Sequence, residues 1–160
     1  MYKRIMVPLD GSELAECVLP HAETIAKQFK ATVELVRVIE TIEIPTRGGI
    51  ALSAEELEQI QLHDKLDAES YLEKIADQLN QAGIKAKSKL LTGKVAESLS
   101  EYIHKSNFDL IIMATHGRSG ISRWIWGSVA ERILHSCPIP VLLIRPNGCV
   151  TGVLGMITAH

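Results

Sequence analysis

The residues whose types and spacing carry the most chemistry run from Asp109 to Ser128: Asp-Leu-Ile-Ile-Met-Ala-Thr-His-Gly-Arg-Ser-Gly-Ile-Ser-Arg-Trp-Ile-Trp-Gly-Ser. An apolar run of strand length, Leu110 to Met113, gives way to Gly117, Gly120 and Gly127 set around Arg118 and Arg123. Ser128 has the residue type of an N-cap, and Val129, Ile133 and Leu134 follow at helical spacing. A strand, a glycine-rich loop and a helix start in that order gather unpaired backbone N–H groups and the positive end of a helix dipole at one place. Glycines there let a ligand approach the main chain closely. The chemistry this suits is phosphate binding. Upstream, Asp10 offers a carboxylate at the end of another apolar block, and a hard cation is held by carboxylate and phosphate oxygens together. Asp10-Gly11-Ser12 taken alone is equally ordinary turn chemistry. His116 is either a hydrogen-bonded structural histidine or part of the loop's site, and Arg118 and Arg123 pair either with phosphate or with nearby carboxylates. Trp124 and Trp126 are expected to pack on the sheet end or on a neighbouring subunit, since aromatic side chains mostly serve burial.

Other chemistries fail on residue type. Gly93-Lys94-Val95 is not a Walker A loop, because residue 88 is Ser and Val95 lacks the hydroxyl that magnesium needs. No Gly-x-Ser-x-Gly elbow supports an acyl-transfer triad. A kinase or fast ATPase needs a positioned base, and His116 is the sole candidate in the loop, so the expectation is nucleotide binding with slow or no hydrolysis. A formal net charge of -2 lacks the electrostatic footprint of a general nucleic-acid binder. Cys17, Cys137 and Cys149 are odd in number and form no Cys-x-x-Cys pair, which supports neither a disulfide framework nor a zinc site and fits a reducing cytoplasm. The N-terminal Met1 to Pro8 has no apolar segment long enough for a signal peptide, and no apolar run approaches membrane-spanning length.

The elements that must position these residues follow from periodicity. Tyr2 to Leu9 reads as a buried first strand that stops at Asp10. Glu13 to Lys30 is helical, with Pro20 perturbing its second turn, and Ala31 to Ile39 is a second strand. Glu40 to Leu52, with Pro45 and Gly48-Gly49, is the longest expected loop. Ser53-Ala-Glu-Glu56 is a capping-box signature for a helix that Gly83 closes. Ile84 to Leu91 is a third strand whose alternating Lys85, Lys87 and Lys89 suit a solvated sheet edge. A helix from Val95 to about Lys105, the Leu110 to Met113 strand, a helix from Val129 to about His135, and a last strand between Pro138 and Pro146 complete the chain. Alternation of strand and helix argues for an α/β fold: one parallel sheet of five strands, with helices on both faces and right-handed crossovers. Ligands of such sheets sit beyond the carboxyl ends of the strands where the strand order reverses, and first and fourth strands adjacent there would bring Asp10 and the loop from Ala114 to Ser128 to one crevice.

The spacing Gly117, nine residues, Gly127-Ser128 resembles the phosphate-binding signature of the universal stress protein family, specifically its ATP-binding branch. That branch has Gly-x-x-Gly-x9-Gly-Ser/Thr, and Ala114 stands here in place of the first glycine. The resemblance extends to Ile5-Met-Val-Pro-Leu-Asp-Gly-Ser12, to Val38-Ile-Glu40 and to the final Pro140-Val-Leu-Leu-Ile-Arg145. It implies an open, Rossmann-like sheet of order 3-2-1-4-5, akin to the adenine nucleotide alpha hydrolases.

Carried over residue by residue, the resemblance implies that Pro8 and Val38 flank an adenine, the Val38 backbone bonding its edge, while Met113 and Ala114 line the ribose and α-phosphate. His116 and Gly117 would open the phosphate loop, and Gly127, Ser128 and Val129 would hold phosphate through N–H and hydroxyl groups. Asp10 would sit near the phosphates and bind Mg2+ or Mn2+ directly or through water. The implied ligand is ATP, with AMP or another adenylate as alternatives. Implied too are a homodimer formed through the last strand, Val141 to Ile144, and an unknown protein partner that reads the bound state, with no nucleic acid or membrane involved. The expected role is a cytoplasmic stress-response switch; the alternatives are a nucleotide-free dimeric interaction module in which Ala114 has disabled the pocket, and an ATP-hydrolysing or nucleotidyl-transferring enzyme using Asp10 and a metal. The domain is expected over residues 1–146, followed by an apolar, glycine-containing tail over 147–160 that either packs across the dimer or is disordered.

Overall fold

The computed structural model describes residues 1–40, 53–115 and 127–145. Strands β1 (Arg4–Pro8), β2 (Thr32–Ile39), β3 (Ala86–Thr92), β4 (Leu110–Ala114) and β5 (Val141–Ile144) form one sheet in the order β3-β2-β1-β4-β5. All four pairings are parallel. Helices α1 (Glu13–Glu16), α2 (Leu19–Phe29), α3 (Ala54–Gln81), α4 (Val95–Lys105) and α5 (Ser128–Ser136) fill the crossovers. The expected α/β sheet and its strand order are both present. Period-two alternation then sorts the core into two layers. Ile5, Val7, Val33, Leu35 and Ile112 meet α1, α2 and α3 on one face, through residues such as Val18, Ala22, Leu72 and Leu79. Met6, Val36, Ile111 and Met113 meet α4 and α5 on the other, through Leu99, Ile103 and Ile133.

Helix boundaries follow local chemistry. Pro20 has no N–H to give the carbonyl of residue 16, so the expected single helix splits at Cys17 and Val18, and Pro20 falls in the first turn of α2. The capping box of α3 is closed: Ser53 Oγ accepts from Glu56 N at 3.2 Å, and Glu56 Oε2 accepts from Ser53 N at 2.7 Å. Its far end closes with Gly83 at φ 82, Gly83 N donating to Asn80 O at 3.0 Å and Ile84 N to Leu79 O at 2.9 Å. Ile84 is thus spent on the helix stop and buried there, which is why β3 begins at Ala86, two residues later than the pattern predicts. Lys85, Lys87 and Lys89 are exposed along this edge strand, as expected.

Two polar clips fix the sheet's lower half. Asp109, just before β4, accepts from Lys3 N at 2.7 Å and Arg4 N at 2.8 Å, and these backbone bonds hold its carboxyl below the usual carboxylate range. Glu34 is buried beneath α4, where it pairs with Arg4 Nη2 at 3.0 Å and accepts from the Tyr102 hydroxyl. Burial and then the neighbouring carboxylate push the Tyr102 phenol up to about 12, so it remains a donor. Among the described residues, no helix is long and apolar enough to cross a membrane.

Candidate functional site

The strand order reverses between β1 and β4, and above their carboxyl ends lies a cleft of about 1000 Å³. Its first bank is the turn after β1. Asp10 Oδ1 accepts from Ser12 N at 2.9 Å and from Ser12 Oγ at 2.6 Å, while Ser12 Oγ caps α1 by accepting from Ala15 N at 3.2 Å. Asp10 therefore is a turn former, and the turn leaves it half-buried in the cleft wall.

The opposite bank is built where β4 hands over to α5. Thr115 N donates to Ile144 O at 2.9 Å, and Gly127 N donates to Thr115 O at 2.9 Å, so the chain returns to the end of β4 before the helix begins. Gly127 is the N-cap, extended at φ -56 and ψ 143 with no side-chain cap, and its carbonyl accepts from Glu131 N at 3.0 Å. Ser128 is accordingly the first helical residue and not the N-cap that its type suggested. Because Gly127 offers no side chain, the leading amides of α5 lack the intrahelical or capping acceptor that a serine cap would give. Gly127, Ser128, Val129 and Ala130 all line the cleft.

Ala114, the departure from the glycine pattern, sits in β4 opposite Ile144. Lys30 is the one non-glycine with positive φ among the described residues, so position 114 makes no conformational demand for glycine. Its side chain packs against the core layer beneath α1, α2 and α3 while the residue still lines the cleft.

The end of β2 supplies Arg37 and Val38. Arg37 Cζ stands 5.4 Å from the centre of the Tyr71 ring, and the Tyr71 hydroxyl donates to Glu16 Oε1 at 2.9 Å. Burial, then Glu16 and Asp10, raise the Tyr71 phenol well above its ordinary value. Carboxylates of Asp10, Glu40, Asp64, Asp67 and Glu97 line the described cleft against the cations Arg37, Lys94 and Arg132, and Arg132 is already paired with Glu97 at 2.7 Å. Among the described residues, no group of three or more His, Cys, Asp or Glu side chains is arranged to hold a metal ion.

Pro8, Asp10, Val38, Met113, Ala114, Gly127, Ser128 and Val129 all line this one cleft. His116 and Gly117 lie outside the described residues, as do Arg118, Arg123, Trp124, Trp126 and the tail over 147–160. The sequence reading missed Arg37, Lys94 and the start of α4, which line the same cleft. Arg37 carried a usable signal: it is a charged residue inside an otherwise apolar strand, directly before Val38.

The model of the universal stress protein family matches residues 1–145. The chain belongs to the universal stress protein family. It is 32% identical over 148 residues to universal stress protein MJ0531 of Methanocaldococcus jannaschii, a match covering 91% of this chain and 83% of that relative. It is 31% identical over 156 residues to MJ0577 of the same organism, with 91% of this chain and 96% of the relative covered. The solved structure of MJ0577 has the same architecture, at a TM-score of 0.79 and 28% identity, covering 91% of this chain and 96% of that one. More distant neighbours include a universal stress protein of Arabidopsis thaliana with AMP bound (TM-score 0.64, 16% identity, 91% and 93% covered) and one of Archaeoglobus fulgidus in complex with dAMP (0.60, 19%, 89% and 98%). At those identities the likeness speaks for the universal stress protein fold.

Proposed function

We propose that this universal stress protein binds an adenine nucleotide, ATP in first place, in the cleft above β1 and β4, and works in the cytoplasm as a nucleotide-dependent switch. The observation that carries the reading is the convergence of residues 8, 10, 38, 113, 114 and 127 to 129 on one cleft that ends at uncapped amides of α5. Pro8 and Val38 flank the adenine, Met113 and Ala114 border the ribose, and the amides of Ser128 and Val129 take the phosphates with the Ser128 hydroxyl, while Gly127, whose own N–H goes to Thr115 O, lets the ligand approach the main chain closely. His116 and Gly117 open the loop on the phosphate side. Relatives of this fold bound to AMP and dAMP agree with the ligand class. A divalent cation, Mg2+ or Mn2+, neutralises phosphate charge when bound, and Asp10 is the residue that would hold it, beside a wall in which carboxylates outnumber cations.

Hydrolysis in this reading is slow or absent, because a fast ATPase needs a positioned base for its nucleophile and His116 is the sole histidine that the loop's sequence offers. Occupancy is therefore read by assembly or by a partner protein. The half-buried edge strand β5, Val141–Ile144, is the surface through which two copies pair, and the apolar tail over 147–160 follows it. Calorimetry with ATP and Mg2+ tests the reading. Saturable heat in the parent protein that is lost in Gly127→Val supports it, and undiminished binding in Gly127→Val and Asp10→Ala refutes the site.

A further inference from the structure

Arg37 emerges half-buried near the end of β2 and lines the cleft. Its guanidinium lies against Gly11, whose φ of 84 suits glycine. A Cβ placed on Gly11 would stand 3.0 Å from Nη1, 3.2 Å from Cζ and 3.3 Å from Nη2. Three nearly equal distances mean that the flat of the group rests on the glycine. Tyr71 provides a second contact with its ring, 5.4 Å from Cζ, and is itself anchored to Glu16 through its hydroxyl. Neither contact consumes the N–H edge of the guanidinium. Among the described residues that edge makes no hydrogen bond or ion pair, whereas Arg4 is paired with Glu34 and Arg132 with Glu97.

A guanidinium cannot shed its proton to escape burial, and this half-buried one rests on the Tyr71 ring with no carboxylate directly paired to it among the described residues, though carboxylates line the same wall. What it gains is a rigid fork of donors at the cleft, ordered in advance by Gly11 and Tyr71 so that little side-chain freedom is lost when an anion arrives. We infer that Arg37 is an anion-reading residue of this cleft, donating through its N–H edge to oxygens of a phosphoryl group on the bound nucleotide. The assignment rests on the nucleotide reading of the same cleft, and Gly11 directly follows Asp10, the residue expected beside the phosphates. It makes the cleft discriminate by phosphate charge: ATP and AMP gain from Arg37, and adenosine does not.

Calorimetric titrations of the full chain, Arg37→Gln and Arg37→Lys with ATP, AMP and adenosine, at fixed salt and Mg2+, test this. Arg37→Gln should weaken ATP by about tenfold or more and adenosine by less than about twofold. Arg37→Lys should fall between, since it keeps the charge and loses the fork. Thermal unfolding without ligand checks that each variant is folded; should Arg37→Gln not fold, the shrinking ATP-to-adenosine preference in Arg37→Lys decides. Equal losses for ATP and adenosine, or no loss for either, overturn the assignment. Loss of binding in Gly127→Val with full ATP binding in Arg37→Gln overturns Arg37 alone, and a parent protein that takes up no nucleotide overturns both readings.

Discussion

Replacing Ala114 by glycine completes the ATP-binding signature that the sequence resembles, and the expected result is a less stable protein that binds nucleotide no better. Ala114 pairs with Ile144 in β4, at a negative φ, with its methyl against the core layer beneath α1, α2 and α3. Glycine in a strand costs about 0.5–1 kcal/mol relative to alanine through backbone entropy. Loss of a partly buried methyl adds about half of the ~0.8 kcal/mol assigned to a fully buried CH2. The sum, about 1–1.5 kcal/mol, lowers the melting temperature of a chain of this size by about 2–6 °C. Thermal unfolding followed by far-UV circular dichroism reads that shift, and calorimetry with ATP and Mg2+ reads affinity, expected to change by less than about threefold. An unchanged or higher melting temperature, together with an affinity gain of about tenfold, would mean that the methyl obstructs the ligand and does not support the core layer.

Three further outcomes follow from the same contacts. Tyr102→Phe removes a donor from the buried Glu34 and should cost about 1–3 kcal/mol in urea unfolding at an unchanged m-value; no loss would show that the bond is not made in solution. Asp109 has its folded pKa lowered by the Arg4 and Lys3 amides, so its contribution is present above its unfolded pKa and lost as pH falls through the folded one. Asp109→Asn should therefore be less stable than the parent at neutral pH, with the difference closing below about pH 4; a gap that persists into acid would contradict the charge argument. Gly11→Ala forces a side chain to φ 84 and into the Arg37 guanidinium, and should destabilise by about 1–2 kcal/mol in the same urea assay, a neutral result counting against the close packing of that turn.

The fold was legible because each element announces itself locally. Apolar blocks such as Ile5-Met-Val7 and Leu110 to Met113 are short enough for strands, the Ser53/Glu56 pair caps a helix, and Gly83 stops it. Exposed lysines on β3 gave its edge position. Boundaries shifted where one residue serves two elements, as Ile84 does in ending α3, or where a missing N–H splits a helix, as at Pro20. Ser128 looked like a cap because its type is right, yet the extended backbone at Gly127 took that place. Within the site, the motif residues were readable because they lie on the ends of consecutive elements. Arg37, Gly11 and Tyr71 were not: they meet from β2, the turn after β1 and α3, and a contact across that separation leaves no periodic trace in the chain. Glu34 and Tyr102, 68 residues apart, are hidden for the same reason.

The most direct test of the central claim follows individual backbone amides by ¹⁵N NMR while ATP and Mg2+ are titrated into the protein. Saturable shifts at Gly127, Ser128 and Val129, with those of Lys85, Lys87 and Lys89 on the remote edge unmoved, are the predicted result. Shifts confined elsewhere, or none at saturating nucleotide, would contradict a phosphate seat at the start of α5.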